Sequence, residues 1–271
     1  MSHLLSKSKY IRGLQCDRAL WLDVHNPRLA KYTREQMQRF DRGREFEYAF
    51  KERIASGDSG RVIDISAELK RNVDAYPELT AQLLDRLHTP SPLRGTPPNL
   101  GGEQRDTIAD NNFGSSPKLG EGDRREAVVE ECATPVVLFE AGFIFDDVLV
   151  LADVVKQNPD GTLDIYEVKS GNTLSETYKR DAALQHYVIS HCREVHTFNI
   201  VYSGIDDFVI TDLTEELAAQ HDEIEKNIAT MKEIIRGGEP ATPTGQHCLE
   251  PYACPYQHYC AQGIRQMSLF G

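Results

Sequence analysis

Two apolar segments separated by a short turn are the clearest feature of the hydrophobic pattern. Val148 to Lys156 and Leu163 to Lys169 are rich in Val, Ile, Leu and Tyr, and Pro159-Asp160-Gly161 lies between them. Because Gly adopts φ > 0 easily, the pattern predicts a β-hairpin with a three-residue loop centred on the Asp of that tripeptide. Asp153 and Glu167 each lie seven residues from this centre, so we expect them to face each other across the hairpin.

The predicted hairpin places charged side chains on one face. Strand side chains alternate, so Lys169 joins Asp153 and Glu167 while Val168 points into apolar packing. Two carboxylates directly opposite each other destabilise a hairpin, and a bound divalent cation would remove that penalty. Oxygen ligands on a partly hydrated site suit Mg²⁺ or Mn²⁺, and Lys169 could stabilise a hydroxide or a developing phosphate charge. The alternative is a surface hairpin whose charges are only solvated.

Apolar residues at helical spacing occur on both sides of the hairpin. The first predicted helix starts at Ser6 and ends before Asn26-Pro27, with Cys16 in its middle and Tyr10, Leu14 and Trp21 among its buried residues. The other predicted helices are a segment from about Thr33, in which Met37, Phe40, Phe46 and Phe50 form a stripe, and residues 78–87, 175–190 and 213–235. The last of these carries Leu217, Ile224, Ile228, Met231 and Ile235 on one side and ends at Gly237-Gly238. The other predicted strands are residues 62–65, 135–144 and 195–202.

Composition changes between His88 and Glu126, a stretch of 39 residues with five Pro and six Gly. Such a composition is typical of disordered or weakly ordered chain. It interrupts the pattern just before the predicted sheet, so we interpret it as an insertion within one domain of residues 1–261. A linker and a flap that covers substrate are both compatible with this composition.

Charge is unevenly distributed along the chain. The net charge of −12 disfavours non-specific adhesion to nucleic acid. Residues 1–45 carry ten Lys and Arg against five Asp and Glu, a balance of +5 that leaves −17 on the remainder. This basic region could hold a phosphate backbone near the site, or could be solvated helix faces. No apolar run approaches the roughly 18 residues of a membrane span, and no signal-peptide core is present at the start. We therefore expect a cytoplasmic protein without membrane partners.

Asp153, thirteen intervening residues and then Glu167-Val168-Lys169 resemble the Asp…Glu-x-Lys signature of the PD-(D/E)XK nuclease superfamily. Ala152 stands where the name of the superfamily has Pro. The resemblance implies an α/β fold with a restriction-endonuclease-like core, in which a helix, three antiparallel strands, a helix and a further strand follow in that order, with added helices. The predicted elements have the same order.

The resemblance also implies roles for individual residues. Asp153 and Glu167 would bind Mg²⁺ or Mn²⁺ with the carbonyl of Val168 as a third ligand, and Lys169 would position or activate the nucleophile. Glu47, four residues after Gly43 as in the Gly-x-x-x-Glu helix motif of related nucleases, would be an outer ligand acting through water. Gln185 would support the site. Tyr187 departs from the family pattern, because it follows this Gln by two residues and not by four.

Four cysteines have the spacing of a metal site. Cys248, Cys254 and Cys260 have five residues between neighbours, and Cys16 lies more than 230 residues earlier. A cytosolic protein keeps thiols reduced, which favours metal binding over disulfides. Four thiolates can hold a [4Fe-4S] cluster or tetrahedral zinc; the wide gaps favour the cluster, and zinc stays the alternative. Cys132 and Cys192 are expected to be ordinary buried thiols.

The cysteine pattern resembles the iron-sulfur, RecB-like branch of the superfamily, which includes CRISPR-associated exonucleases and helicase-nuclease proteins. Relatives more often separate the first two late cysteines by two residues. In this branch one early cysteine joins three late ones, and here the cluster would be structural because it closes a very long loop. The resemblance implies a metal-dependent deoxyribonuclease, an exonuclease more than an endonuclease, acting on DNA that is single-stranded or has ends, in repair, recombination or defence. The alternative is a non-catalytic or redox-responsive iron-sulfur protein that binds nucleic acid as an adaptor.

Residues 262–271 are expected to form a flexible tail. Gln266, Met267, Leu269 and Phe270 resemble the short peptide with which bacterial replication and repair proteins dock on the DNA sliding clamp. In such peptides the Leu-Phe pair fills a hydrophobic pocket and the Gln hydrogen-bonds at its rim. The tail is therefore predicted to recruit the protein to the clamp. A tail whose apolar residues fold back on the protein is the alternative.

Overall fold

The computed structural model describes residues 4–57, 60–70, 72–86, 136–205 and 207–267, in which helices pack on both faces of one seven-stranded sheet. The strands are β1 (Leu5–Ser6), β2 (Arg61–Asp64), β3 (Val136–Phe145), β4 (Val148–Gln157), β5 (Leu163–Lys169), β6 (Val195–Ser203) and β7 (Phe208–Asp212). The helices are α1 (Lys7–Gln15), α2 (Asp17–His25), α3 (Arg34–Gly57), α4 (Ile65–Leu69), α5 (Tyr76–Arg86), α6 (Glu176–Ser190), α7 (Thr214–Ala218), α8 (His221–Arg236) and α9 (Gln257–Met267). The predicted α/β class is confirmed.

The sheet is antiparallel at its centre and parallel beside it. Its strand order is β2-β3-β4-β5-β6-β7, and β1 pairs with β4. Strands β3, β4 and β5 follow one another antiparallel, α6 then connects β5 to the parallel strand β6, and β7 returns antiparallel to β6. A parallel neighbour requires a crossover connection, which α6 provides. This places α6 over the strands that carry the predicted site.

The β4–β5 hairpin has the predicted geometry. Its register pairs Val154 with Tyr166, and one further step of the same register sets Asp153 opposite Glu167. The hydrogen bond between the backbone N–H of residue 158 and the carbonyl of residue 162, 2.9 Å long, closes a three-residue loop at 159–161. The glycine of that loop has a φ of 92°, a value that a glycine adopts at little cost. The local turn chemistry therefore fixes which residues face each other.

Side-chain alternation is interrupted in the middle of β3. Leu138 and Ala141 both pack in the larger apolar core, although residues three apart in a regular strand point to opposite faces. Glu140 lies between them with a φ of 57°, in the left-handed region that non-glycine residues rarely adopt. Strand β4 loses its side-chain alternation at the paired position, because Ala152 and Val155, also three residues apart, both pack in that core. The regular alternation of side chains between the two faces of the sheet is therefore broken at Glu140.

The predicted first helix is wrong in one respect, because it is two helices and not one. Cys16 is extended, with φ −167° and ψ 122°, and separates α1 from α2. The side-chain amide of Gln15 donates to the carbonyls of His247 and Tyr252, both at 2.7 Å. These contacts come from the far end of the chain, so tertiary structure overrides a local pattern that favours a continuous helix. The prediction that the helical segment ends at Asn26 is confirmed.

The long helix predicted at 213–235 is likewise divided, into α7 and α8, by a turn at Ala219 and Gln220. The apolar residues predicted for its inner side are all buried, which confirms the periodicity although the helix is interrupted. Gly237 follows the last residue of α8, as expected. Strands β1 and β7 were not predicted. Both are short edge segments, and β7 has no fully buried residue.

The stripe predicted for α3 is only partly buried. Phe50 is 1% exposed and Phe46 packs beside it, whereas Met37 and Phe40 are 48% and 46% exposed. The second half of α3 lies on a smaller apolar cluster on the sheet, formed by Val137, Phe139, Val154, Val168 and Val201. The first half has no such surface beneath it among the described residues. The predicted stripe is therefore buried only in the second half of the helix.

Several predictions fall at the limits of the described residues. The insertion predicted at 88–126, Cys132, Leu269 and Phe270 lie outside them. Helix α9 extends to Met267, so the prediction that the chain is unstructured from residue 262 is wrong for 262–267. Cys192 is half-buried and its thiol lies 3.4 Å from the carbonyl of Ile144. No helix within the described ranges combines the length and the apolar character that crossing a membrane requires.

Candidate functional site

The predicted carboxylate and lysine lie together at the end of β5. Glu167 is 1% exposed, and its Oε1 accepts hydrogen bonds from Lys169 Nζ at 2.6 Å and from Lys7 Nζ at 2.7 Å. The Lys169 ammonium also forms an ion pair with Asp181 on α6. The second oxygen, Oε2, is buried without a hydrogen-bond partner among the described residues. One oxygen of Glu167 is therefore saturated, and the other is left for a further ligand.

Mutual attraction keeps these buried groups ionised. Burial alone would raise the pKa of Glu167, but the ammonium groups of Lys169 and Lys7 lower it below its usual range. Burial alone would lower the pKa of Lys169, but Asp181 and Glu167 raise it. The same two carboxylates raise the pKa of Lys7 against the effect of burial. Opposite charges at close range thus outweigh desolvation for each member of the group.

Asp153 differs from Glu167 because it has no cationic partner in the described part of the chain. It is 8% exposed, and its Oδ2 accepts the backbone N–H of Val168 at 2.7 Å. Burial, followed by the charge of Glu167, raises its pKa well above the usual range of an aspartate. A buried carboxylate beside another carboxylate needs a compensating cation to stay ionised. The charge of Lys7 opposes the rise in the pKa of Asp153, but no cation forms a direct ion pair with Asp153 among the described residues.

Asp153 also belongs to a group of three carboxylates. One oxygen each from Glu47 on α3, Glu140 on β3 and Asp153 on β4 lie within 4.8 Å of one another. The Lys51 ammonium lies 2.5 Å from Glu47 Oε1 and forms an ion pair with Glu140. Burial raises the pKa of Glu140 to about 7, and Lys51 opposes that rise. Oxygen donors at this spacing fit a hard divalent cation.

Two residues of this group were missed by the sequence. Glu140 lies opposite Asp153, because the pairs on either side of it continue one register, Phe139 with Val154 and Ala141 with Ala152. A left-handed backbone at a glutamate leaves no signal in the sequence. Lys51 follows Glu47 by four residues, which is the spacing of an ion pair along one helix face. The four-residue spacing of Glu47 and Lys51 was therefore a signal that the sequence offered.

Three other residues named from the sequence do not share the surroundings of the carboxylates. They are Val168, Gln185 and Tyr187. The side chain of Val168 packs in the smaller apolar cluster on the α3 face of the sheet, as predicted. Gln185 is 0% exposed, lies one helical turn after Asp181, and neither atom of its amide has a hydrogen-bond partner among the described residues. Tyr187 packs against the ring of Phe145 with 5.7 Å between centroids. The tyrosine thus belongs to an aromatic cluster instead of joining the carboxylates.

The structure brings the four predicted cysteines into one region. Burial raises the pKa of Cys254 and of Cys260, and for each the charges of Cys16 and Cys248 add to the rise. The backbone N–H of Cys254 donates to the carbonyl of Cys248 at 2.8 Å. The Gln15 side chain, next to Cys16, is bonded to the same late segment. A cysteine at the start of the chain and three near its end therefore lie in one neighbourhood.

The four thiols are not gathered as tightly as the three carboxylates are. Within the described residues, no three cysteine sulfurs lie within 4.8 Å of one another.

The comparisons with known proteins leave the chain without a family. No family model and no curated protein matches the sequence. Among solved structures it has a likeness to one described as the crystal structure of SSO0001, with 13% sequence identity and a TM-score of 0.26. That match covers 37% of this chain and 52% of the other, so only about half of that protein is spanned. A TM-score this low supports no argument about fold or function.

Proposed function

We propose that the protein is a metal-dependent nuclease that hydrolyses phosphodiester bonds in DNA. The observation that carries the proposal is the pairing of two buried carboxylates with different surroundings. Glu167 has one saturated and one unpaired oxygen, and Asp153 has no cationic partner among the described residues. Lys169 Nζ lies 2.6 Å from Oε1 of Glu167. Uncompensated negative charge and a fixed ammonium are what a nuclease site with a divalent cation requires.

The element order supports a restriction-endonuclease-like core. Helix α3, the antiparallel strands β3, β4 and β5, helix α6 and strand β6 follow one another along the chain. This is the order that the PD-(D/E)XK resemblance implies. The resemblance rests on the Asp153…Glu167-Val168-Lys169 signature and not on overall likeness to a solved structure. The core assignment is therefore part of the proposal.

Asp153 and Glu167 would hold the cation, with the carbonyl of Val168 as a further ligand. Glu47 and Glu140 lie at the Asp153 side and would complete the site directly or through water. A bound Mg²⁺ or Mn²⁺ supplies charge neutralisation, polarises the phosphate and makes water a better nucleophile. Glu140 is the addition that the structure makes to the residues proposed from sequence.

The ammonium of Lys169 has two carboxylate partners in the proposed site. It is held between Glu167 and Asp181. That fixed charge would stabilise negative charge that develops on the phosphate or on the attacking oxygen. Lys7 shares Oε1 of Glu167 and keeps that carboxylate ionised. Gln185, one turn beyond Asp181, would support the site through its unpaired amide.

We propose that Cys16, Cys248, Cys254 and Cys260 hold a [4Fe-4S] cluster. The five-residue gaps between the three late cysteines favour this over zinc, whose ligand pairs are usually separated by two to four residues. The cluster would be structural, since it would join the break between α1 and α2 to the end of the chain. Anaerobic purification, visible absorption and iron analysis test it. A colourless protein that contains zinc would overturn the assignment.

Docking on the sliding clamp stays a prediction about the last ten residues. Gln266 and Met267 lie in α9, whereas Leu269 and Phe270 lie outside the described residues. A peptide of residues 262–271 is expected to bind a bacterial clamp at about −8 kcal/mol, which is a micromolar affinity. Replacing Leu269 and Phe270 with Ala is expected to remove that binding, and unchanged binding would refute it.

The central experiment compares two lysines on neighbouring elements. End-labelled single- and double-stranded DNA is incubated with Mn²⁺ and the purified protein, with and without a chelator. Lys169→Ala is expected to slow cleavage about 10²- to 10⁴-fold, because a fixed charge is lost from the transition state. Lys179→Ala, which removes an ammonium that pairs with Glu216 on the surface, is expected to leave the rate unchanged.

The outcomes separate the nuclease from the adaptor alternative. Lys169→Met keeps most of the side-chain volume and guards against loss of folding, which circular dichroism and iron content would report. Full activity in both Lys169 variants would refute the mechanism. DNA affinity that changes with the oxidation state of the cluster, without any Mn²⁺-dependent cleavage, would favour a redox-responsive adaptor.

A further inference from the structure

The first half of α3 presents apolar and aromatic side chains to solvent. Met37 and Phe40 are 48% and 46% exposed, and Tyr32, just before the helix, is 46% exposed. The rings of Tyr32 and Phe40 contact each other at 5.8 Å between centroids. Large apolar groups gathered on a surface indicate a binding site more often than isolated ones do. Their position on a helix that also reaches the carboxylates makes this surface relevant to the site.

The surface is basic in an acidic protein. Residues 31–45 contain five Lys and Arg against three Asp and Glu, a balance of +2, so the remaining residues carry −14. Arg34, Arg42 and Arg44 are all exposed. Arg44 forms only an exposed ion pair with Asp41 three residues earlier, which stabilises little in water. Arginines of this kind remain available to anionic groups.

The exposed surface continues into the carboxylates along one side of the helix. Phe40, Arg44, Glu47 and Lys51 are spaced by four, three and four residues, which places them on the same side of an α-helix. Seven residues of helix separate Phe40 from Glu47, a distance of about 10 Å along the axis. A chain that lies on Phe40 can therefore extend to the carboxylate that Glu47 contributes.

A second line of aromatic rings joins the same surface to Lys169. The Arg39 guanidinium lies 5.6 Å from the ring centroid of Tyr252. Burial raises the pKa of Tyr252. The charges of Tyr178 and Asp181 raise that pKa further and the charge of Lys169 lowers it, so Tyr252 lies near these three residues. The Lys169 ammonium in turn lies 5.7 Å from the ring centroid of Tyr178. Aromatic faces and cations thus alternate from the exposed helix to the site.

We propose that the first half of α3 and Tyr252 form a binding surface for single-stranded nucleic acid leading into the carboxylates. Bases stack on Tyr32, Phe40 and Tyr252, and phosphates pair with Arg39 and Arg44. The inference deepens the proposed nuclease function and rests on it for the direction of the strand. Exposed rings among arginines are typical of single-strand surfaces, because only unpaired bases offer free π-faces to stack on. A protein partner would explain the apolar residues but not the excess of arginine.

The test measures binding without cleavage. Fluorescence anisotropy follows a labelled oligothymidylate with the full-length protein in a chelating buffer, so no divalent cation is present. Phe40→Ala is expected to weaken binding about five- to hundredfold through the loss of one stacked base. Ile210→Ala removes an apolar side chain of similar exposure from β7 and is expected to leave the affinity unchanged. Unchanged affinity in Phe40→Ala combined with Tyr32→Ala would overturn the proposal.

A charge-matched pair tests the arginines. The double variant Arg39→Ala with Arg44→Ala is expected to lower the slope of log affinity against log salt concentration by about 1.4, because single strands contribute about 0.7 per phosphate contact. Arg61→Ala with Arg236→Ala makes the same change in net charge at exposed positions elsewhere and is expected to keep the wild-type slope. Equal slopes in the two double variants would contradict the assignment.

Other outcomes distinguish the surface from the nuclease function. If Phe40→Ala binds DNA more weakly but the wild-type protein cleaves DNA under no condition, the binding surface is supported and the nuclease function is refuted. If Lys169→Ala abolishes cleavage and no α3 variant changes binding or cleavage, the nuclease function is supported and the binding surface is refuted. Tighter binding of duplex than of single strand, or a change in oligomeric state on size-exclusion chromatography instead of a change in DNA binding, would also overturn it.

Discussion

Helix α6 buries polar side chains towards both of its ends, but only one end keeps its charge. In the first half, Asp181 pairs with the ammonium of Lys169. In the second half, His186 is 4% exposed and its Nδ1 lies 2.8 Å from Nε2 of His221. Burial, followed by the charge of His221, lowers the pKa of His186 to about 4, so this pair is neutral at pH 7. Burial penalises charge at both ends, and the presence of an opposite charge decides the result.

The difference separates the part of the helix beside the proposed cation site from the part that packs in an aromatic cluster. The charged end faces β5 and the proposed cation site, where Lys7 and Glu167 complete a balanced set of charges. The neutral end packs with aromatic rings, for example His191 stacked on Phe145 at 4.1 Å between centroids. A helix can thus hold an ionised group and a neutral pair about one and a half turns apart. The counter-ions, and not the depth of burial, separate the two.

Removing the counter-ion at the charged end is expected to have the largest effect. Asp181→Ala leaves the ammonium groups of Lys169 and Lys7 with Glu167 alone, and breaking a buried charge pair costs about 3–5 kcal/mol of unfolding free energy. Urea unfolding monitored by circular dichroism measures it. Asp222→Ala, on the exposed first turn of α8, is expected to change stability by less than about 0.5 kcal/mol. Similar small losses in both variants would refute the counter-ion argument.

Lowering the pH tests the neutral end. The pKa of His186 is about 4 in the folded protein and 6.5 as the ordinary value, so between these values the unfolded chain binds a proton that the folded protein does not. The stability associated with this group is complete above pH 6.5 and is lost as the pH falls. The expected loss between pH 7 and pH 5 is about 2 kcal/mol. The titratable groups beside the pair are His191 and Asp222, which act on His221.

His186→Gln is expected to flatten the pH dependence over this window, whatever its effect on stability at pH 7. His196→Gln serves as the control, because Asp164 raises the pKa of His196 and its contribution to stability is lost as the pH rises instead. That variant is expected to keep the loss of stability at low pH. An unchanged slope in His186→Gln would show that other groups cause it.

Local rules predicted the half of the site that lies in one hairpin. Strand alternation and the loop between β4 and β5 were enough to place Asp153, Glu167 and Lys169 together. Lys7 and Asp181 reach the same place only through pairing of β1 with β4 and the packing of α6, neither of which is encoded locally. Glu140 reaches it through the register of the β3–β4 hairpin. The break at Cys16 is similar, because the acceptors that hold Gln15 lie more than 230 residues away. Sequence periodicity specifies faces, and tertiary contacts then select which charges meet.

Gln185 is expected to give the smallest effect, with a sign opposite to that of Asp181. It lies on α6 between the two ends, is fully buried, and has neither a counter-ion nor a hydrogen-bond partner among the described residues. A buried amide without a partner costs about 1–3 kcal/mol, so Gln185→Met, which keeps the shape and removes the amide, is expected to raise the unfolding free energy by about 1–2 kcal/mol. The same change is expected to slow DNA cleavage if the amide supports the site.

Gln157→Met is the matched control, because the amide of Gln157 is also buried but donates to the carbonyl of Leu84 at 3.2 Å. The loss of that hydrogen bond is expected to lower stability by about 1 kcal/mol. Equal destabilisation by the two substitutions would mean that the amide of Gln185 is satisfied in solution, and that the contrast along α6 is limited to its charged and neutral ends.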